Sequence, residues 1–117
     1  MTSFQYYNPV RLIFGAGAFN QLGSTVQAGE HHALLVTGRT AARQLGYLDR
    51  AVAMLHGRGL EVTVYDEVPS NPTDDIIDAG GELARTEGCD LLLGLGGGSA
   101  MDAAKAIAVA TAHEFPI

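Results

Sequence analysis

Asp90-Leu91-Leu92-Leu93-Gly94-Leu95 runs directly into Gly96-Gly97-Gly98-Ser99-Ala100-Met101-Asp102-Ala103-Ala104-Lys105. The first part is an apolar run of strand length; the second is a glycine turn that opens an alanine-rich helix. A strand feeding such a turn feeding a helix builds an anion site. Without side chains in the turn, backbone N–H groups can approach a phosphate, and the helix start adds unpaired donors and the positive end of its dipole. A pyrophosphate suits that place. The competing reading is a tight turn that needs glycine for its backbone angles alone. Three consecutive glycines weigh against it, because a simple turn needs only one or two.

Working outward, the same alternation repeats. Residues 10–14, 33–37, 62–65 and 91–95 read as strands. Helical patterns fill the gaps at 19–26, at 41–45, at 48–56 (Leu48, Val52 and Leu55 at helical spacing, with Gly57 and Gly59 to end it), at 76–85 and at about 100–111. Pro72-Thr73-Asp74-Asp75 marks one helix start, with Thr73 as the cap and two acids in the first turn. Strand alternating with helix predicts an α/β fold: a Rossmann-like parallel sheet with right-handed crossovers and helices on both faces. The unbroken Leu91-Leu92-Leu93 predicts a strand buried on both sides. In open sheets of this kind ligands collect at the carboxyl ends of the strands. Three segments fall there: Thr37-Gly38-Arg39, Pro69-Ser70-Asn71-Pro72 and the triple glycine.

Composition narrows the function classes. The 117 residues, 47% hydrophobic and 17% charged, make a single domain spanning 1–117 with the balance of a globular protein. No apolar run is long enough for a bilayer span, and Met1-Thr2-Ser3-Phe4-Gln5-Tyr6-Tyr7 lacks the basic start of a secretion signal, so a cytoplasmic location is expected. A net charge of −6 with seven scattered basic residues argues against a nucleic-acid surface. An anionic ligand must therefore be held locally, by backbone donors. The single Cys89 beside Leu91 reads as a small buried hydrophobe rather than a nucleophile.

Two positions carry alternative readings. Ser99 falls where a helix cap belongs, with Asp102 returning the bond as in a capping box; equally, its hydroxyl can point at a phosphate oxygen. Asp102 and Lys105, three apart on one helical face, form either a solvated ion pair or a site in which Lys105 supplies charge to the phosphate. Other motifs are weak. Phe14-Gly15-Ala16-Gly17-Ala18 lacks the third glycine of a dinucleotide fingerprint, and its glycines read as turn residues. His31 and His32 are adjacent and point apart, His56 and His113 are isolated, and no metal-binding histidine spacing occurs. There is no Gly-x-Ser-x-Gly elbow either.

Together, Asn8-Pro9, Ile13-Phe14-Gly15-Ala16-Gly17-Ala18, Leu35-Val36-Thr37-Gly38, Pro69-Ser70-Asn71-Pro72-Thr73 and Gly96-Gly97-Gly98-Ser99 with Asp102 and Lys105 resemble the iron-containing (group III) alcohol dehydrogenases. That family shares its fold with glycerol dehydrogenase and dehydroquinate synthase. The resemblance implies that residues 1–117 are the nucleotide-binding, dehydroquinate synthase-like N-terminal domain. It implies that Gly96, Gly97, Gly98 and Ser99 take the pyrophosphate of NAD or NADP, that Asn71 lies near the adenosine and that Asp102 lies near the nicotinamide ribose. It also implies a homodimer, and a helical C-terminal domain, outside this chain, holding a divalent metal (Fe2+ or Zn2+) on one aspartate and three histidines. Complete, such a protein transfers hydride between the nicotinamide and a small alcohol or aldehyde. Family members often carry an aspartate where this chain has Gly38. Losing that carboxylate removes repulsion of a 2′-phosphate, and Arg39 can donate to one, which favours NADP over NAD. A maleylacetate reductase-type domain of the same fold is an alternative, as is a non-catalytic nucleotide-binding or dimerisation module.

Overall fold

The computed structural model describes residues 17–39 and 44–113, with side chains through Thr111. The predicted strand at 10–14 and most of the predicted helix at 41–45 lie outside the described residues. In chain order the elements are a 3-10 helix Ala18–Thr25, β1 His32–Gly38, α1 Tyr47–Gly57, β2 Glu61–Val68, α2 Asp74–Glu87, β3 Leu91–Leu95 and α3 Gly98–His113. The described strands are parallel in the order β2-β1-β3, so the chain crosses over a helix between each pair. This is the expected α/β architecture.

Strand β1 is the keel. Ala33 through Thr37 are all buried, and the twofold period of a strand sends alternate residues to opposite faces. Leu34 and Val36 pack with Tyr65, Ile77, Ala103 and Ile107, where α2 and α3 cover the sheet. Leu35 packs with Leu48 and Ala51 of α1, and Ala33 with Leu55 and Leu60. Helices therefore cover both faces. The doubly buried strand is thus β1, not the Leu91-Leu92-Leu93 run that its unbroken apolar sequence predicts. Those leucines are only half-buried, because β3 is hydrogen-bonded to β1 on one side and lies at the edge of the described sheet.

Local chemistry explains two further departures. The first helix is 3-10 rather than α, with no fully buried residue. The Ser24 and Thr25 hydroxyls each donate, at 2.7 Å, to the carbonyl three residues back, capturing acceptors that an α-helical ladder would use. Its Phe19 meets the Tyr47 ring edge-on, and the Arg50 guanidinium lies over both rings. Thr73 does occupy the cap position of α2, where its carbonyl accepts the Ile77 N–H at 3.1 Å. Its hydroxyl, however, bonds the Asp75 carboxylate and holds that group below the usual carboxylate range.

The amino ends of the strands are tied by one side chain. The Asp90 carboxylate accepts the backbone N–H groups of His31 (2.9 and 3.0 Å) and His32 (2.9 Å), and these bonds hold its carboxyl below the ordinary aspartate range. The Asp90 N–H in turn reaches the His32 carbonyl at 2.9 Å. Nearby, His32 Nε2 and Thr63 Oγ1 share a hydrogen bond at 2.7 Å. Cys89 is partly buried there and its thiol is pushed up, first by burial and then by Glu87 and Asp90, as expected for a packing thiol. No helix among the described residues is long and apolar enough to cross a membrane.

Candidate functional site

At the opposite, carboxyl end, the three strands open on a cavity of about 490 Å³. β1 contributes Thr37 and Gly38 to its wall and leads into Arg39, as β2 leads into Pro69 and Ser70. The third wall is the glycine turn, Gly96 to Gly98, with Ser99.

The turn is built from glycines with different jobs. Gly94, inside β3, lets α3 lie directly on the strand: a Cβ there would sit 3.1 Å from Ala104 Cβ and 3.2 Å from the Ala100 carbonyl oxygen. Gly96 has φ +136°, a conformation that side chains disfavour. Gly97 and Gly98 differ from both. Neither has positive φ, and a Cβ on either would meet no atom within 4 Å. Neither backbone angle nor packing requires glycine there, so the two residues leave bare backbone beside open space.

The helix start adds donors. The first α3 bond between main-chain groups runs from Met101 N–H to Gly97 carbonyl at 3.1 Å, so the N–H groups of Gly98, Ser99 and Ala100 precede the helical ladder. The dipole of this sixteen-residue helix places its positive end at the cavity. Arg39 is the one charged residue among the described residues that line it. In a chain of net charge −6, this wall is locally suited to an anion.

Two hydroxyls cross-link the walls. Thr37 Oγ1 donates to the Leu95 carbonyl at 2.8 Å, and Ser99 Oγ donates to the Ser70 carbonyl at 2.6 Å. The second bond corrects the capping-box expectation. α3 begins at Gly98, earlier than the predicted start near Ala100, because the wide φ of Gly96 turns the chain at once. Ser99 therefore lies inside the first turn, with its hydroxyl engaged across the cavity rather than on its own helix.

The cavity gathers Gly38, Arg39, Gly96, Gly97, Gly98 and Ser99. Asn71 is exposed, one residue beyond Ser70, and Asp102 is exposed about one turn along α3 from Ser99; neither lines the wall. Lys105 lines a separate hollow with Leu92, Gly94 and Met101, away from the glycine turn. Thr37, in one of the strand-end segments expected to collect ligands, lines the cavity, and its bond to Leu95 is a role the sequence does not predict. The available signal was a hydroxyl closing a strand otherwise composed of Ala, Leu and Val. Among the described residues no three His, Cys, Asp or Glu side chains converge to hold a metal ion.

Known proteins share this fold. The family described as "Iron-containing alcohol dehydrogenase" matches residues 9–116. The chain is 35% identical over 114 residues to "Probable NADH-dependent butanol dehydrogenase 2" of Bacillus subtilis, covering 97% of this chain and 29% of that protein. Among solved structures, the archaeal halo-thermophilic Red Sea brine pool alcohol dehydrogenase is 38% identical with a TM-score of 0.86, over 97% of this chain and 28% of that one. NADH-dependent butanol dehydrogenase A from Thermotoga maritima is 30% identical with a TM-score of 0.87, over 97% and 29% of the respective chains. The chain thus spans about three-tenths of the length of these relatives. With the family match spanning residues 9–116 and the fold shared with these structures, the chain belongs to the iron-containing alcohol dehydrogenases.

Proposed function

We propose that this chain forms the dinucleotide-binding part of a nicotinamide-dependent alcohol dehydrogenase. The observation that carries the proposal is the pair Gly97 and Gly98, whose lack of side chains is explained by neither backbone angle nor packing. A pyrophosphate resting on the N–H groups of this turn and of the α3 start explains it. Gly38 and Arg39 then lie at the ribose end of the adenosine, with Asn71 near the adenosine and Asp102 toward the nicotinamide ribose. When bound, the nicotinamide supplies the hydride donor or acceptor, and the residues of this chain bind and orient it.

Relatives named as NADH-dependent butanol dehydrogenases and as 1,3-propanediol dehydrogenase support a small alcohol or aldehyde as the substrate of the whole protein. The iron of the family name has no ligand set among the described residues, so no step through a metal is derived. A cytoplasmic homodimer belongs to the same proposal, and sedimentation of the full-length protein tests the dimer.

Cofactor choice rests on Gly38 and Arg39. With no carboxylate at the strand end and a guanidinium beside it, the site admits a 2′-phosphate, so NADPH is expected to bind at least as tightly as NADH. Parallel calorimetric titrations with NADPH and NADH test this. Tighter NADH binding, as the names of several relatives suggest, keeps the site and removes the role given to Arg39. If a demonstrably folded chain binds neither, the dinucleotide reading fails.

A further inference from the structure

We propose that Thr37 and Ser99 are a pair of positioning residues: their hydroxyls, each spent on a carbonyl, hold the three walls of the cavity in register, and neither touches the bound anion. The proposal rests on the dinucleotide reading for its ligand, but its geometry belongs to the ligand-free chain.

Thr37 is the one buried polar side chain among the described residues, 1% exposed. Valine has almost the same shape, and the neighbours of Thr37 in β1 are aliphatic, so packing alone gives no reason for an oxygen. A buried hydroxyl is unfavourable unless bonded, and this one donates to Leu95. Thr37 and Leu95 form the last rung of the β1–β3 ladder, one residue before the glycine turn. The Leu95–Gly96 peptide is planar and trans, so its N–H points opposite to its carbonyl. By fixing the Leu95 carbonyl, Thr37 fixes the plane of the Leu95–Gly96 peptide, from which the glycine turn departs.

Ser99 works on the other side. Its bond to Ser70 joins the start of α3 to the segment that follows β2, positions 29 apart in sequence. The hydroxyl proton is already used, which leaves the phosphate to main-chain N–H groups. Donors held in place before the ligand arrives lose less conformational freedom on binding, and this is where the affinity gain arises. Ser99 acts through Ser70 and its neighbour Asn71, hence on the adenosine side of the ligand.

The test combines ¹⁵N relaxation of the ligand-free full chain with titrations of NADH and inorganic pyrophosphate. In the wild type, Gly96, Gly97, Ser70 and Asn71 or their neighbours should show order parameters near the rigid-backbone value of about 0.85. Thr37→Val should drop those at Gly96 and Gly97 below about 0.6 and weaken both ligands by about five- to tenfold, with Thr37→Ser restoring them. Ser99→Ala should loosen Ser70 and Asn71 and weaken NADH by about three- to fivefold, while pyrophosphate changes by less than about twofold. Unchanged order parameters in both variants overturn the proposal. So does an equal loss of pyrophosphate and NADH in Ser99→Ala, which would put that hydroxyl on the phosphate. If Thr37→Val fails to fold, the half-exposed Ser99→Ala still decides for its side of the cavity, and Thr37→Ser for the other. If the wild type binds neither ligand yet the variants loosen as stated, the braces stand and the dinucleotide reading falls.

Discussion

The two ends of the sheet solve the same problem in opposite ways. Parallel strands leave polar main-chain groups at both ends. At the amino end, Asp90 gathers the N–H groups of His31 and His32 onto one carboxylate. At the carboxyl end, donors at the glycine turn and helix start are left free of helical partners, and the side chains that could have covered them are missing. One end is finished by the protein, and the other is left for something else to finish. Substitutions at the first should therefore lower stability without changing binding, and those at the second should weaken binding without lowering stability.

The largest effect is expected at Gly94, the position that couples the two. Gly94→Val places atoms where Ala104 Cβ, the Ala100 carbonyl and Met101 Cα already stand, pushing α3 off β3. A loss of about 2–3 kcal/mol in denaturant unfolding and the disappearance of NADH binding are expected together. If binding survives, the helix start is not part of the site.

Asp90→Ala isolates the closed end. Losing the carboxylate should cost about 1–2 kcal/mol, discounted because the group is exposed, and leave dinucleotide affinity unchanged. The pH dependence follows from the lowered Asp90 pKa. Its contribution is fully present above the unfolded value of about 3.9 and is lost as pH falls through the lower folded value. Wild-type and variant unfolding curves should therefore differ most at neutral pH and converge under acid; a gap that persists when the carboxylate is protonated would assign the effect to packing.

Gly98→Ala isolates the open end. The position is helical, exposed and uncrowded, so a methyl group should raise stability by about 0.4–1 kcal/mol while weakening NADH and NADPH. Stability and affinity moving in opposite directions would be the sharpest support for the contrast. Unchanged affinity would return Gly98 to an ordinary turn role. The least consequence for the site is expected from Arg50→Ala, in the first turn of α1 and outside the cavity lining, where the guanidinium lies 4.9 Å from the Phe19 ring centroid. A loss of about 0.5–1 kcal/mol with no effect on binding is expected, read by thermal unfolding at matched ionic strength.

Much of this contrast was legible from residue order. Strands at 33–37 and 91–95 and helices at 48–56 and 76–85 follow from apolar periodicity, which reports burial directly. The strand after α1 runs on to Val68, past its predicted end at 65, because Asp66 and Glu67 carry no apolar signal although the backbone stays extended. Periodicity also cannot rank strands by position: Leu91-Leu92-Leu93 looks more deeply buried than Ala33-Leu34-Leu35-Val36, yet the topology puts β1 at the centre. The glycine turn and the two other strand-end segments announced the site, but the Thr37–Leu95 and Ser99–Ser70 bonds that join its walls are long-range and no local pattern encodes them. The 3-10 geometry at Ala18–Thr25 was written in Ser24 and Thr25, whose short hydroxyls favour the tighter turn.

Strand β3 has only five residues, with Asp90 directly before it and Gly96 directly after it. At about 3.3 Å per residue, one added or deleted position would displace one end by that much and reverse the faces of every leucine beyond it. The strand thus behaves as a ruler with fixed marks at both tips, and its length constrains the chain independently of its composition. Leucine, isoleucine or valine can trade places along it, but insertions and deletions there cannot be absorbed by sliding.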